Sequence, residues 1–147
     1  MITPLDFGLV GFGYAAAIGA QAAVGNRPVI AIMGDGGFGF TMSEITTAVR
    51  YRLPVIAIVL DNGAWGAEKA YQLEFFAGRL LGAEIDSPRY DKVAELCGAK
   101  GWFVEEPGQL TQALTQAPAC EAPAVIHVKI DPNALSTLRK DLFKKPS

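Results

Sequence analysis

The sequence predicts an α/β fold built on a doubly wound, mostly parallel sheet with helices on both faces. Two runs of apolar, β-branched residues at 29–33 and 55–60 do not alternate with polar residues, which is typical of strands buried on both faces. Helical patterns separate such runs along the chain, and this alternation favours parallel strands joined by right-handed crossovers. Half of the 147 residues are apolar (50%), enough for one core. We therefore expect a single domain over residues 1–147.

The other elements follow the same strand and helix order. Residues 7–23 are predicted to begin as a glycine-rich loop and to continue as a helix of small residues that packs close to the sheet. A helix is predicted over 43–52. Thr41 precedes it and Glu44 lies in its first turn, a pattern typical of a capping box. Beyond residue 60, the patterns predict a loop over 78–88, helices over 90–97 and 108–116, and strands over 102–105 and 124–130.

A glycine-rich segment, GDGGFG at 34–39, follows the first predicted strand and is predicted to form a loop. Glycines let backbone amides approach a ligand, and the positive N-terminal end of the next helix favours an anion such as phosphate. Asp35 lies among these glycines and would repel a phosphate unless a divalent cation lay between them. Asn62 stands at the end of the second strand, so the two strand ends offer the hard oxygen ligands that Mg²⁺ or Ca²⁺ takes.

These residues together resemble the GDG…NN signature of thiamine diphosphate enzymes, with GDG at 34–36, an amphipathic helix, and then Asp61-Asn62. Asp61 stands where the family usually has asparagine, and a carboxylate cannot donate the hydrogen bond that an amide would. The resemblance implies a thiamine diphosphate cofactor held through Mg²⁺. It implies as metal ligands Asp35, the Asn62 side chain and the Ala64 carbonyl, and as further cofactor contacts Gly34, Gly36 and Gly37.

The segment 8–13, GLVGFG, resembles the loop before the corresponding helix in acetolactate-synthase-like members of this family. In those enzymes a large apolar residue at this point separates the two rings of the cofactor, and Val10 occupies the matching position here. The resemblance also implies that the Gly8 carbonyl and the Val10 amide contact the aminopyrimidine edge.

Two further stretches, NGAWGAEK at 62–69 and the C-terminal residues 138–146, resemble the sulfoacetaldehyde acetyltransferases within this family. That resemblance implies cleavage or transfer of a two-carbon acyl unit from a small anionic substrate. We expect Lys69, or Arg139 and Lys140, to help hold the anionic group. The alternatives are a 2-oxo acid decarboxylase subunit of the sulfopyruvate decarboxylase type and an acetolactate-synthase-like enzyme.

In this family the glutamate that activates the cofactor lies on a pyrimidine-binding domain, and we find no sequence of such a domain in this chain. The resemblance therefore implies a pyrimidine-binding partner domain or subunit, an oligomeric assembly, and no turnover by the chain alone.

The glycine-rich segment also fits the G-x-G-x-x-G pattern of dinucleotide-binding folds, and Asp61 lies at a strand end where a ribose-binding acid belongs. Asp35 among the glycines speaks against this interpretation, because no metal separates that position from the pyrophosphate in such folds. A noncatalytic dinucleotide-binding module is the alternative from another functional class.

The net charge of −2 gives no basic surface for nucleic acid. No apolar stretch reaches the roughly 20 residues that span a bilayer, and the N-terminus lacks the charged region of a signal peptide. We therefore expect a cytoplasmic protein that binds neither nucleic acid nor membranes.

Overall fold

A computed structural model describes residues 1–4 and 8–135 of the chain. They contain a four-stranded sheet in the order β1-β2-β4-β3, in which every neighbouring pair is parallel. This confirms the predicted α/β class and the parallel sheet. The strands are β1 (Ile30–Gly34), β2 (Ile56–Asp61), β3 (Lys100–Val104) and β4 (Ala124–Lys129).

Helices connect these strands and flank the sheet. Their bounds are α1 (Phe12–Val24), α2 (Asp35–Gly39), α3 (Ile45–Arg50), α4 (Gly66–Phe75), α5 (Tyr90–Leu96) and α6 (Pro107–Ala119), with a short 3₁₀ turn at Met42–Glu44. Within the described ranges, none of these helices is long and apolar enough to cross a membrane.

Apolar cores lie on both faces of the sheet. On one face, buried residues of α1, α2, α3 and α5 pack against alternate residues of β1, β2 and β4. On the other face, Ala113 and Ala117 of α6 pack against the opposite side chains of β2, β3 and β4. Helix α6 does not reach β1 on that face, so Ile30 and Ile32 are 49% and 65% exposed.

The glycine-rich segment was predicted as a loop, and this was wrong, because the chain turns into the short helix α2 directly after β1. The reason is Phe38, which is fully buried between the rings of Tyr14 and Tyr90, with ring centroids 5.1 Å from each. A side chain anchored in the core winds the preceding glycines into a helical turn, and the short helix carries Asp35 in its first turn.

The predicted capping box was also wrong. The Thr41 hydroxyl does not cap the next helix but donates to the Gly11 carbonyl at 3.3 Å. The Glu44 carboxylate instead accepts a hydrogen bond from the Thr47 hydroxyl at 2.7 Å. Thr41 therefore ties the start of α1 to the segment after α2.

The predicted loop over 78–88 is confirmed, and part of it pairs with the segment after β2. The Trp65 amide donates to the Ala83 carbonyl at 2.8 Å, and the Ile85 amide donates to the Gly63 carbonyl at 2.9 Å. This antiparallel bridge holds residues 83–87 across the end of the sheet. We call residues 83–87 the strap.

Candidate cofactor and metal site

The carboxyl ends of β1 and β2 meet at one edge of the sheet. Because Gly34 is paired with Leu60 in the parallel register, the next residues of the two strands, Asp35 and Asp61, lie side by side. Both carboxyl groups are buried, at 1% and 2% exposure. Two carboxylates this close in a buried place need compensating donors or a cation.

A cavity of about 1070 Å³ opens at this edge of the sheet. Its size suits a cofactor of the dimensions that protein pockets usually hold. It brings together seven of the eight predicted site residues: Val10, Gly34, Asp35, Gly36, Gly37, Asn62 and Ala64. The eighth, Gly8, is not among the described residues that line it. It lies in the loop before α1 and has a positive φ of 57°.

Asp35 is held from two sides. Its Oδ2 accepts a hydrogen bond of 2.8 Å from the hydroxyl of Ser87 in the strap, and its backbone carbonyl accepts one of 2.8 Å from the hydroxyl of Tyr90. Burial raises the pKa of Asp35 above its ordinary value of 3.8, the Ser87 bond opposes this, and the neighbouring Asp61 adds to the rise. A divalent cation beside Asp35 would stabilise its charged form.

The turn after β2 carries the other two predicted ligands. The Asn62 side-chain oxygen accepts the Ala64 amide at 3.2 Å, which leaves one of its lone pairs for another partner. No hydrogen bond between described residues ends on the Ala64 carbonyl, because the bridge to the strap uses the Gly63 carbonyl and the Trp65 amide instead. Two oxygens of this turn therefore keep the capacity to bind a cation.

Asp61 takes part in a buried hydrogen-bond network. Its Oδ2 accepts bonds from Lys129 Nζ at 2.9 Å and from His127 Nε2 at 2.7 Å, while its Oδ1 accepts the Gly63 amide at 2.8 Å. Burial raises the pKa of Asp61, but the bonds from Lys129 and His127 outweigh burial and bring it from 3.8 to about 2. These hydrogen bonds therefore favour the charged form of Asp61.

Trp65 and the glycines shape the wall of the cavity. A Cβ atom at Gly36 would lie 2.6 Å from Cζ3 of Trp65, so only glycine lets the indole ring pack on this backbone. Phe40 packs edge-on against Trp65, with ring centroids 5.8 Å apart, and is itself 67% exposed. Val10 lines the same cavity and is 50% exposed.

The residues predicted to hold an anionic substrate are only partly described. Lys69 forms an ion pair with the strap, since its Nζ lies 3.4 Å from Oε1 of Glu84. Its side chain is mostly buried, at 12% exposure, whereas that of Glu84 is exposed. Arg139 and Lys140 lie outside the described residues.

A family model for the "Thiamine pyrophosphate enzyme, C-terminal TPP binding domain" matches residues 1–128. The match includes the glycine-rich segment, Asn62 and the strap. The chain belongs to this family.

Curated relatives match almost the whole chain. Sulfoacetaldehyde acetyltransferase of Alcaligenes xylosoxydans xylosoxydans is 35% identical over 147 residues, covering 97% of this chain and 24% of the relative. Acetolactate synthase large subunit IlvG of Mycobacterium tuberculosis is 37% identical over 137 residues, covering 92% of this chain and 25% of the relative. The chain thus spans about a quarter of the length of these relatives.

Among solved structures, the thiamine diphosphate-dependent 4-hydroxybenzoylformate decarboxylase of Rhodococcus jostii RHA1 superposes with a TM-score of 0.78 at 33% identity. The superposition covers 83% of this chain and 23% of the decarboxylase. The fold and the family resemblance predicted from the sequence are therefore both confirmed.

Three residues of the site were not predicted from the sequence to contribute to it: Ser87, His127 and Lys129. His127 is buried in β4, and no pattern in its strand indicated the contact with Asp61. A signal was available in Lys129, a charged residue at the end of an otherwise apolar strand. Ser87 lies in a loop whose sequence carries no pattern that points to Asp35.

Proposed function

We propose that the chain is the diphosphate-binding part of a thiamine diphosphate enzyme, and that Asp35, the Asn62 side chain and the Ala64 carbonyl hold Mg²⁺ against the diphosphate. The observation that carries this proposal is that all three residues line one cavity at the carboxyl ends of β1 and β2. Ligands of parallel α/β sheets bind at this edge.

The donor set fits a hard divalent cation. It consists of one buried carboxylate, one amide oxygen with a spare lone pair and one carbonyl without a hydrogen bond from a described residue. Among the described residues, no group of three or more His, Cys, Asp or Glu side chains could hold a metal. Phosphate oxygens and water would complete the coordination of Mg²⁺ at these three residues, as is usual for Mg²⁺ bound with a phosphate ligand.

The structure supports the other predicted cofactor contacts to different degrees, because some of these residues line the cavity and Gly8 does not. Gly34, Gly36 and Gly37 line the cavity beside Asp35, so their amides are in a position to meet the diphosphate. Val10 lines it from the turn before α1, which supports its proposed role between the cofactor rings. Gly8 keeps its assignment at the aminopyrimidine edge as a proposal that rests on the family resemblance.

When bound, thiamine diphosphate would supply nucleophilic carbon chemistry toward a carbonyl substrate. The residues of this chain would bind and orient the cofactor: Asp35 and the 62–64 turn through the metal, and Val10 and Trp65 through apolar contact. The carboxylate that activates the pyrimidine ring of the cofactor would come from a pyrimidine-binding domain or subunit, and the assembly would be an oligomer.

For the reaction, we propose transfer or cleavage of a two-carbon acyl unit, as in sulfoacetaldehyde acetyltransferase. The relative of that name at 35% identity supports this choice. Acetolactate synthase and decarboxylase chemistry, after which other similar proteins are named, are the alternatives. Lys69, Arg139 and Lys140 are proposed contacts for a small anionic substrate. The family match argues against a dinucleotide-binding module. A cytoplasmic location is also proposed.

Titration calorimetry tests the binding function. The chain is titrated with thiamine diphosphate in the presence of Mg²⁺, then with the metal removed by a chelator, and finally with NAD⁺. We expect heat of binding only for thiamine diphosphate with Mg²⁺. Binding of NAD⁺, or binding of thiamine diphosphate that does not depend on the metal, would overturn the proposal.

A further inference from the structure

Among the buried carboxylates that the structure describes at this sheet edge, Asp61 has no task in the proposed function. We propose that Asp61 is a positioning residue for the metal site: Lys129 and His127 hold its carboxylate from the neighbouring strand, and the carboxylate fixes the Gly63 amide in the turn that carries Asn62 and Ala64. This inference rests on the proposed function, because it assigns Asp61 a role toward the two ligands of that turn.

The two oxygens of Asp61 face different parts of the structure. Oδ2 accepts the hydrogen bonds from β4, because Asp61 is paired with Lys129 in the register of β2 and β4. Oδ1 accepts the Gly63 amide at 2.8 Å, inside the turn. The carboxylate therefore links the rigid end of β4 to the middle of the ligand-carrying turn.

Gly63 is where such a link has most effect. Its φ of +66° lies in the left-handed region, which glycine adopts readily. Because glycine adopts other conformations as readily, this turn needs contacts that hold it in one of them. Its carbonyl is fixed by the Ile85 amide of the strap, and its amide is fixed by Asp61. With both groups held, the flanking residues Asn62 and Ala64 keep one orientation toward the cavity.

The histidine in this network has a defined tautomer. His127 Nδ1 lies 3.1 Å from the backbone amide of Tyr90, which can only donate, so Nδ1 accepts and the ring hydrogen is on Nε2. Nε2 then donates to Asp61 at 2.7 Å. The Tyr90 hydroxyl in turn donates to the Asp35 carbonyl, so one buried chain of contacts reaches both strand ends.

This arrangement explains why aspartate fits position 61 of this chain. An asparagine has a single acceptor oxygen, so it could accept from Gly63 or from the β4 donors, but not from both groups. In either case the asparagine NH₂ group would face another N–H donor and leave that donor without an acceptor. With Lys129 and His127 opposite, only a carboxylate satisfies the turn and the strand together.

The test is an NMR titration of the full chain, labelled with ¹⁵N, with Mg²⁺ at a fixed concentration of thiamine diphosphate. Amide shifts of residues 62–64 give the apparent Mg²⁺ dissociation constant, even when binding is weak. Variants are Asp61→Ala, Asp61→Asn and Lys129→Met. The matched control is Lys92→Met, which removes a lysine from an exposed ion pair with Glu95. Hydrogen exchange of the Gly63 amide is measured without metal.

We expect Asp61→Ala to weaken apparent Mg²⁺ affinity about tenfold and to speed Gly63 exchange by a similar factor, because a charge-assisted hydrogen bond is lost. Asp61→Asn and Lys129→Met should give smaller changes in the same direction, and Lys92→Met should match the parent. A residue that only stabilised the fold would lower the melting temperature and leave the Mg²⁺ constant, measured far below melting, unchanged.

The outcomes separate this role from the proposed function. Parental Mg²⁺ affinity in both Asp61→Ala and Lys129→Met would overturn the positioning role while the binding function stands. A parent chain with no Mg²⁺-dependent shifts would overturn the proposed function and this role together. If Asp61→Ala does not fold, Lys129→Met carries the test, since the Lys129 side chain is 47% exposed and its loss leaves the core intact.

Discussion

The hydroxyl of Ser87 donates a 2.8 Å hydrogen bond to Oδ2 of Asp35, a residue 52 positions earlier in the chain. The strap makes this contact possible, because its backbone pairs with residues 63–65 at the end of β2. One loop thus contacts both the Asp35 carboxylate and the turn with Asn62 and Ala64. The proposed ligands from two strands are held relative to each other by a third segment.

The first prediction concerns Ser87. Ser87→Ala removes the hydroxyl donor from a buried carboxylate, so we expect the free energy of unfolding of the metal-free chain to fall by about 1 kcal/mol. Urea unfolding measures the change. Ser43→Ala, at an exposed serine, is the control and should lie within about 0.5 kcal/mol of the parent. Equal stability of Ser87→Ala and the parent would contradict a contribution from this bond.

The second prediction is that Asp35→Asn stabilises the chain and abolishes its metal-dependent cofactor binding. The pKa of Asp35 is raised in the folded chain, so its contribution to stability is present at low pH and is lost as the pH rises through that value. Replacing it with a neutral amide should therefore increase the free energy of unfolding near neutral pH and change it little in acid. Urea unfolding at both pH values, without metal, measures this.

Cofactor binding gives the other half of this test. Asp35→Asn should show no Mg²⁺-dependent heat with thiamine diphosphate, because the cation loses its only charged ligand from the chain. Asn62→Ala, which removes a neutral ligand, should bind more weakly than the parent but still measurably. Unchanged Mg²⁺-dependent affinity in Asp35→Asn would rule out the metal assignment.

The third prediction concerns acid stability. The pKa of Asp61 is lowered from 3.8 to about 2, so its contribution is fully present above about pH 4 and is lost as the pH falls toward 2. Lys129→Met removes a donor that lowers this pKa. That variant should be less stable than the parent near neutral pH, and the difference should shrink on acidification. Urea unfolding over this range measures it, and a difference that does not vary with pH would contradict the assignment.

The sequence was sufficient to predict the parallel sheet and the proposed ligands, because both depend on local patterns. Apolar runs mark buried strands, and polar residues directly after them fall at one edge of the sheet. The partners of Asp61 could not be predicted in this way. They depend on β4 inserting between β2 and β3, so that Lys129 lies opposite Asp61, and no local pattern encodes that strand order. The helical form of GDGGFG depended similarly on the burial of Phe38 between two distant rings.

The fourth prediction compares two adjacent glycines. A Cβ at Gly36 would lie 2.6 Å from the Trp65 ring, whereas one at Gly37 would have nothing within 4 Å. Gly36→Ala should therefore displace Trp65 and lower the free energy of unfolding by about 1–3 kcal/mol. Gly37→Ala should be neutral or slightly stabilising, since alanine favours the helix. Tryptophan fluorescence and urea unfolding follow both effects, and equal stability of the two variants would contradict the packing of Trp65 on Gly36.

Exposed apolar side chains surround the entrance to the cavity. Leu9, Val10 and Phe40 all have at least half of their surface accessible, and Trp65 packs against Phe40 at the same edge. Exposed apolar side chains beside a candidate ligand site often mark a surface that another domain or subunit covers. This agrees with a pyrimidine-binding partner that would cover the cofactor at this edge.

The fifth prediction follows: the 147-residue chain alone should not turn over substrate, although it carries the proposed metal and diphosphate ligands. A carboxylate that activates the pyrimidine ring is expected on the partner, and the two buried carboxylates at the ends of β1 and β2, Asp35 and Asp61, are already engaged by Ser87 and by Lys129 and His127. The chain is assayed with thiamine diphosphate, Mg²⁺ and either sulfoacetaldehyde with phosphate or pyruvate, with and without a pyrimidine-domain chain of a relative. We expect turnover only in the mixture, and Asp35→Asn in the same mixture serves as the inactive control. Clear activity of the chain by itself would show that the activating carboxylate lies within this sequence.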